Sequence, residues 1–242
     1  MTYCVGLKLN AGLVLLSDTR TNAGLDNIAT YRKMFFFENP GERIIAIMTA
    51  GSLSVTQTTL ARLHEAVDDE MADETTSIML APTMLQVATL IGDALSRTRR
   101  EIADQCRELN QSQASASMIV AGQRVGGDMR MFLIYPEGNF IEATEDTPFL
   151  QIGEHKYGKP ILDRVVTPAT SLPDAQKAVL LSMDSTLRSN LSVGMPLDLA
   201  IIEKDACKVS AKRRILEGDT DFMEMSAAWS NALRESFVKV SI

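Results

Sequence analysis

From Tyr3 to Leu9 the apolar residues fall on every second position, Tyr3, Val5, Leu7 and Leu9, the period of a strand with one face in a core. Asn10-Ala11-Gly12 is a turn signal, and Leu13 to Ser17 reads as a second strand closing a hairpin. Asp18 stands just past its end, and Thr21-Asn22-Ala23-Gly24 reads as a loop. Lys33 opens a third strand through Phe37, and Asn39-Pro40-Gly41 turns it into a fourth, Arg43 to Thr49. That run ends on Ala50-Gly51, where a glycine can bring its N–H against a ligand with no Cβ in the way.

The period then changes. Ser52 or Ser54 caps a helix with Thr56, Leu60, Leu63 and Val67 on one face. The acidic, Thr/Ser-rich stretch 68–79 reads as an exposed connection. Pro82 suits the first turn of a long helix carrying Met84, Ala88, Ile91, Leu95, Ile102, Cys106 and Leu109 at helical spacing. Strands return at 117–122 and 129–135 around Gly126-Gly127-Asp128, then at 140–143 and 149–152. A short helix follows, and Pro173 starts a longer one striped with Ala175, Val179, Met183 and Leu187. Leu197 to Glu203 and Lys208 to Arg214 are a last strand pair, and Asp221 to Val238 is an amphipathic helix. Strand blocks alternating with helix pairs imply an α+β fold: two sheets face to face, helices on both outer sides, a four-layer αββα sandwich. Nothing marks a linker, so residues 1–242 are expected to form a single domain.

Composition narrows the function. A net charge of −7 over 242 residues argues against nucleic acid or an anionic membrane as the main partner. The basic runs at Arg97-Thr98-Arg99-Arg100 and Lys212-Arg213-Arg214 are short, and no apolar run reaches a membrane span. There is no charged n-region before an apolar stretch, so a cytoplasmic, reduced protein is expected. Cys4, Cys106 and Cys207 are too few and scattered for a disulfide framework or a zinc site, and no metal or cofactor is expected. Only His64 and His155 could serve a Ser-His-Asp or Cys-His assembly.

An N-terminal Thr has no such need. If Met1 is removed, Thr2 carries a hydroxyl and a free α-amine on one residue, a known form of activated nucleophile. Cys4, two residues on, is the competing nucleophile.

Strand, turn, strand, then Ser17-Asp18-Thr19-Arg20, the Thr-x-x-Gly loop from Thr21, Lys33 and Ala50-Gly51 together resemble a proteasome β-type subunit of the N-terminal nucleophile hydrolases. The resemblance runs to about Glu203. Arg188 to Gly194 and Ala228-Trp229-Ser230 in the last helix are similar to the bacterial proteasome-like group called Anbu. The resemblance implies Thr2 as nucleophile, Asp18 and Lys33 as its supporting charge pair, and the Gly51 N–H as oxyanion donor. It implies a substrate pocket of Thr21, Tyr31, Phe35, Thr49 and Leu53. It also implies a ring or open spiral of identical subunits acting on peptide or unfolded protein, with an ATPase or activator as a further partner. Residues 219–242 then form a C-terminal helical extension beyond the ordinary β subunit.

One place departs from the pattern. The family carries Gly-Ser-Gly where this chain has Gly153-Glu154-His155. The later Asp-x-x-Ser pair becomes Ser189-x-x-Ser192, or has Asn190 at the acidic position, depending on a one-residue gap. Glu154 could act as an extra base, or pair Lys33 and weaken it. Two other readings stay open: an amidase using the same nucleophile on a small amide, and a catalytically weak subunit that builds a scaffold ring.

Overall fold

The computed structural model describes residues 2–22, 28–108 and 115–241; Met1, Ala23, Gly24, Leu109 and the side chains of Asn22 and Cys106 lie outside the described residues. The first half holds β1 (Tyr3–Leu9), β2 (Gly12–Asp18), β3 (Arg20–Asn22), β4 (Ile28–Thr30), β5 (Met34–Asn39), β6 (Arg43–Gly51), α1 (Leu53–Asp68) and α2 (Met84–Glu108). The second holds β7 (Ala116–Arg124), β8 (Arg130–Ile134), β9 (Phe140–Glu142), β10 (Phe149–Gly153), α3 (Lys159–Val165), α4 (Leu172–Ser189), β11 (Leu197–Glu203), β12 (Ala211–Ile215) and α5 (Thr220–Lys239). The fold is α+β.

One five-stranded sheet runs β10-β1-β2-β11-β12 and the other β5-β6-β7-β8-β9, both antiparallel. The first sheet is assembled from both ends of the chain. The β1–β2 hairpin is flanked by β10 and β11, with Tyr3 opposite Gly153 and Asp18 opposite Leu197. Strand alternation sorts the side chains into three clusters. Val5, Leu7, Val14 and Leu16 pack with Leu162, Val179 and Met183 of α3 and α4. Leu13 and Leu15 meet Ile44, Ala46, Met48 and Met131 of the other sheet. Ile45, Ile47 and Val120 pack with Leu60, Leu63, Ile91 and Leu95 of α1 and α2. Each fully buried Leu or Ile contributes about 1.5–3 kcal/mol through the apolar area it removes from water.

Three expectations need correction. Arg20–Asn22 is not loop: it pairs with Ile28–Thr30 as a two-stranded ladder, held by backbone bonds that leave no hydrophobic period to read. The 68–79 connection is not wholly exposed, because Ser77 and Ile78 are buried and the Ile78 carbonyl accepts from Arg43 Nη1 at 2.9 Å. The last strand begins at Ala211 rather than Lys208.

Helix α5 is capped by Asp219, the residue before it, whose carboxylate accepts the Phe222 N–H at 3.0 Å. Only Phe222 and Ser226 of this helix are buried. Ser226 Oγ donates to Asp184 Oδ1 at 2.7 Å and accepts from Arg188 Nη2 at 2.7 Å, clamping the first turns onto α4. Beyond them Leu233, Phe237 and Val238 stay exposed. No helix among the described residues is long and apolar enough to cross a membrane.

Candidate active site

Strand β1 places Thr2 at the mouth of the space between the sheets, and three features hold it there. Tyr3, the next residue, is fully buried, its hydroxyl bonded to Ser182 Oγ at 2.6 Å and accepting from Gln151 Nε2 at 2.5 Å. Burial pushes that phenol up to about 12, so it stays a neutral anchor. On the other side the Glu154 N–H donates to the Thr2 carbonyl at 2.7 Å. The close approach depends on Gly153, at φ +82°, where a Cβ would lie 1.9 Å from the Thr2 carbonyl oxygen.

Asp18 ends β2 and is fully buried. Its Oδ1 accepts from Lys33 Nζ at 2.7 Å and from the Tyr3 N–H at 3.1 Å; its Oδ2 accepts from the Gly194 N–H at 3.3 Å. Burial pushes the carboxyl upward, and Lys33 with the two amides pulls against it. Those three donors compensate the charged form, so Asp18 is a carboxylate facing an ammonium. Lys33, just before β5, gives a second bond to the Arg20 carbonyl at 2.7 Å. Its position is fixed from the adjacent strand of its own sheet, β6, where the Thr49 N–H donates to the Lys33 carbonyl at 2.9 Å.

Gly51 ends β6 at φ +106°, and a Cβ there would meet the Ser115 carbonyl at 2.3 Å. Only glycine fits. It lines a cavity of about 110 Å³ with Thr2, Thr21, Lys33, Thr49, Ala50, Leu53 and Thr56. A wider cleft of about 540 Å³ begins at the same Ala50-Gly51 pair and continues past Ser115, Tyr135, Gly153 and His155.

The structure thus brings Thr2, Thr21, Lys33, Thr49, Gly51 and Leu53 to one cavity, with Asp18 behind Lys33. Tyr31 and Phe35 are not in its lining. Phe35 packs on the outer cluster beneath α1 and α2, since alternation along β5 turns Met34 and Phe36 inward instead. Tyr31 is exposed. Ser189 is an exposed last residue of α4, whereas Asn190 Nδ2 donates to Glu154 Oε2 at 3.2 Å and its Oδ1 accepts the Ser192 N–H at 2.9 Å. Glu154 therefore bonds Asn190, while the Lys33 ammonium is taken by Asp18 and Arg20.

Cys4 is fully buried and its thiol faces the Thr49 carbonyl at 3.7 Å. Burial, with the Asp18 charge, pushes the thiol well above its ordinary range. His64 is exposed and stacks on Phe37, and His155 Nδ1 meets the Gly153 carbonyl at 3.3 Å.

The reading of the sequence missed Tyr3 as an anchor and Gly194 as the second amide on Asp18. A Tyr in an alternating strand looks like any core residue. Gly194 lies 176 residues from its partner, beyond any local pattern.

No family model and no curated protein match the chain. Solved structures do. A Gly-1 mutant of Anbu from Hyphomicrobium sp. strain MC1 is 48% identical with a TM-score of 0.93, covering 100% of this chain and 99% of that one. Anbu (ancestral beta-subunit) from Yersinia bercovieri is 41% identical with a TM-score of 0.91, covering 99% and 98%. The Anbu complex from Pseudomonas aeruginosa, described as a helical assembly, is 42% identical with a TM-score of 0.90, covering 99% and 97%. With identity of that level sustained from end to end, this chain belongs to the Anbu group of proteasome-like proteins.

Proposed function

We propose that the chain is a threonine-type peptidase subunit of a proteasome-like assembly, with Thr2 as its nucleophile once Met1 is removed. The observation that carries this reading is the convergence of Thr2, Gly51 and Lys33, the last paired with buried Asp18, on one cavity. In this mechanism Thr2 Oγ attacks the peptide carbonyl and its proton passes to the Thr2 α-amine, whose reference pKa of about 7.7–8.0 leaves a useful basic fraction near neutrality. The Lys33 ammonium favours the deprotonated forms beside it, Asp18 holds Lys33 in place, and Gly51 N–H receives the developing oxyanion. The α-ammonium returns that proton to the departing amine as the C–N bond breaks, and water then hydrolyses the acyl-enzyme ester, releasing the acid and restoring the Thr2 hydroxyl.

The two cavities that share Ala50-Gly51 favour an extended peptide over a small amide. The small one, rimmed by threonines, takes a short side chain, and the wide one continues along the chain. A four-layer αββα sandwich of the N-terminal nucleophile hydrolase type is the architecture that the three core clusters support. The deciding experiment is intact mass of the purified protein. A chain beginning at Thr2 is expected, since Thr is small enough for an aminopeptidase to accept behind Met1; quantitative retention of Met1 would leave no free amine and favour the scaffold reading.

Enclosure is the second half of the proposal. A peptidase open to solvent would attack any protein, and identical subunits joined head to tail close into a ring or run on as a helix. The far half of α5, with Leu233, Phe237 and Val238 in water and no contact of its own to bury them, is the surface we assign to a neighbouring copy within residues 219–242. Light scattering should give a multimer for the full chain and a smaller species for a version ending at Gly218. An unchanged multimer after truncation would remove α5 from the interface.

A further inference from the structure

Thr2 stands between two hollows of unlike size and lining. On one side is the cavity of about 110 Å³ closed by Thr21, Lys33 and Thr49; on the other is the cleft of about 540 Å³, which shares only Ala50-Gly51 with it. The cleft reaches Thr2 at Gly153, where an added Cβ would lie 3.3 Å from the Thr2 Cβ. Ligand clefts run to about 300–1,000 Å³, so the wide hollow is of ligand size and the small one is not.

Backbone direction assigns the two sides. The Thr49 N–H donates to the Lys33 carbonyl and the Ser52 N–H to the Ser115 carbonyl. Alternation between them turns the Gly51 N–H to the same edge as that of Thr49, an edge that β5, starting at Met34, no longer covers. An extended peptide adding to that edge lies beside Thr21 and Lys33. The side chain before the cut bond therefore falls to the small cavity, and the residue after it passes Gly51 into the wide cleft. That cleft is apolar where a side chain would lie. Ala116 and Ile152 are buried beneath it, and Leu133, Tyr135 and Pro136 stand half-buried along it. Among the described residues its lining holds no Asp, Glu, Lys or Arg. Its Gln151 is committed to the Tyr3 hydroxyl, and its His155 turns Nδ1 to the Gly153 carbonyl. A charged side chain would lose its water there without gaining a partner.

We propose that this chain selects its substrate on the leaving-group side: the cut bond joins a small residue, seated among the threonines, to a large apolar residue seated against Leu133, Tyr135 and Ile152. The proposal rests on Thr2 being the nucleophile.

The test digests a mixed peptide library with the full assembled chain and identifies both new ends of each product by mass spectrometry. Phe, Leu or Met after the cut should be preferred over Gly or Asp by about ten- to a hundredfold, with Ala, Ser or Gly before it. Tyr135→Glu, which sets a carboxylate in the cleft, should remove that preference and favour Lys or Arg instead; Ser117→Glu, also in the lining, serves where Tyr135→Glu does not fold. A flat profile after the cut, or a folded variant that keeps the parent's profile, would overturn the proposal. The occupant of the cleft is also judged apart from cleavage, by ligand-observed saturation-transfer NMR on the same assembly. Phe-Ala amide should bind at least about tenfold more tightly than Gly-Ala amide, and the Glu variants should abolish the difference. A library left uncut while that difference holds would refute the peptidase and leave the apolar site standing; equal binding of the two amides would overturn the site.

Discussion

Thr2→Ala is expected to abolish acylation by a threonine-directed electrophile, by a factor of at least about 10⁴, the scale at which loss of a nucleophile collapses a catalytic unit. Cys4→Ala should leave the labelling rate close to that of the parent. The two residues are neighbours on β1 but live in different environments. Thr2 lines the cavity with Gly51, whereas Cys4 is sealed between the sheets and its thiol is held protonated by burial. The thiolate is the reactive form, so a buried thiol pushed upward is a poor nucleophile. Peptide mapping of the labelled protein checks this directly. A label on Cys4, or an undiminished rate in Thr2→Ala, would return the site to the thiol reading.

Lys33→Ala should cost nearly as much activity as the loss of Thr2, because residues acting as one unit are not additive. It should also destabilise the fold by about 3–5 kcal/mol, the cost of leaving one partner of a buried pair without the other. The pH dependence separates these effects. With Lys33 gone, burial dominates Asp18 and its carboxyl is raised further above the unfolded value. A raised carboxyl contributes stability that is present below the unfolded pKa and is lost as pH rises through the folded one. The melting temperature of Lys33→Ala relative to the parent should therefore drop from mildly acidic to neutral pH. Adding Asp18→Asn removes the buried charge and should recover much of the stability, since neighbouring sites couple. It should recover no activity. Recovery of acylation in the double variant would mean that the pair serves only the fold.

The candidate residues were legible to different depths. Thr2, Lys33 and Gly51 announce themselves by position: behind Met1, at a strand start, and at a strand end where a side chain would collide. The pocket wall was less legible. Lys33-Met34-Phe35-Phe36-Phe37 is apolar on both faces, so its period cannot tell which phenylalanine faces the nucleophile. In the fold Phe35 and Phe37 go under the helices while Met34 goes between the sheets, and the cavity is lined by four threonines with Lys33, Ala50, Gly51 and Leu53. Arg20–Asn22 went unread for a similar reason, as three polar residues become a strand only through pairing with Ile28–Thr30.

By itself the sequence determined the local elements. Alternation at Tyr3 to Leu9, the turn at Asn10-Ala11-Gly12 and the stripes of α1, α2 and α4 follow from side-chain period and turn chemistry, which act over a few residues. Only the tertiary structure decided who stands beside whom in the first sheet. It set β10 against β1 and β11 against β2, and so brought the Glu154 amide to the Thr2 carbonyl and the Gly194 amide to Asp18. Such pairings join segments more than 130 residues apart, and loop closure costs almost the same for many alternative partners. What selects among them is burial of whole faces between sheets and helices, a property of the packed chain that no short stretch of it carries.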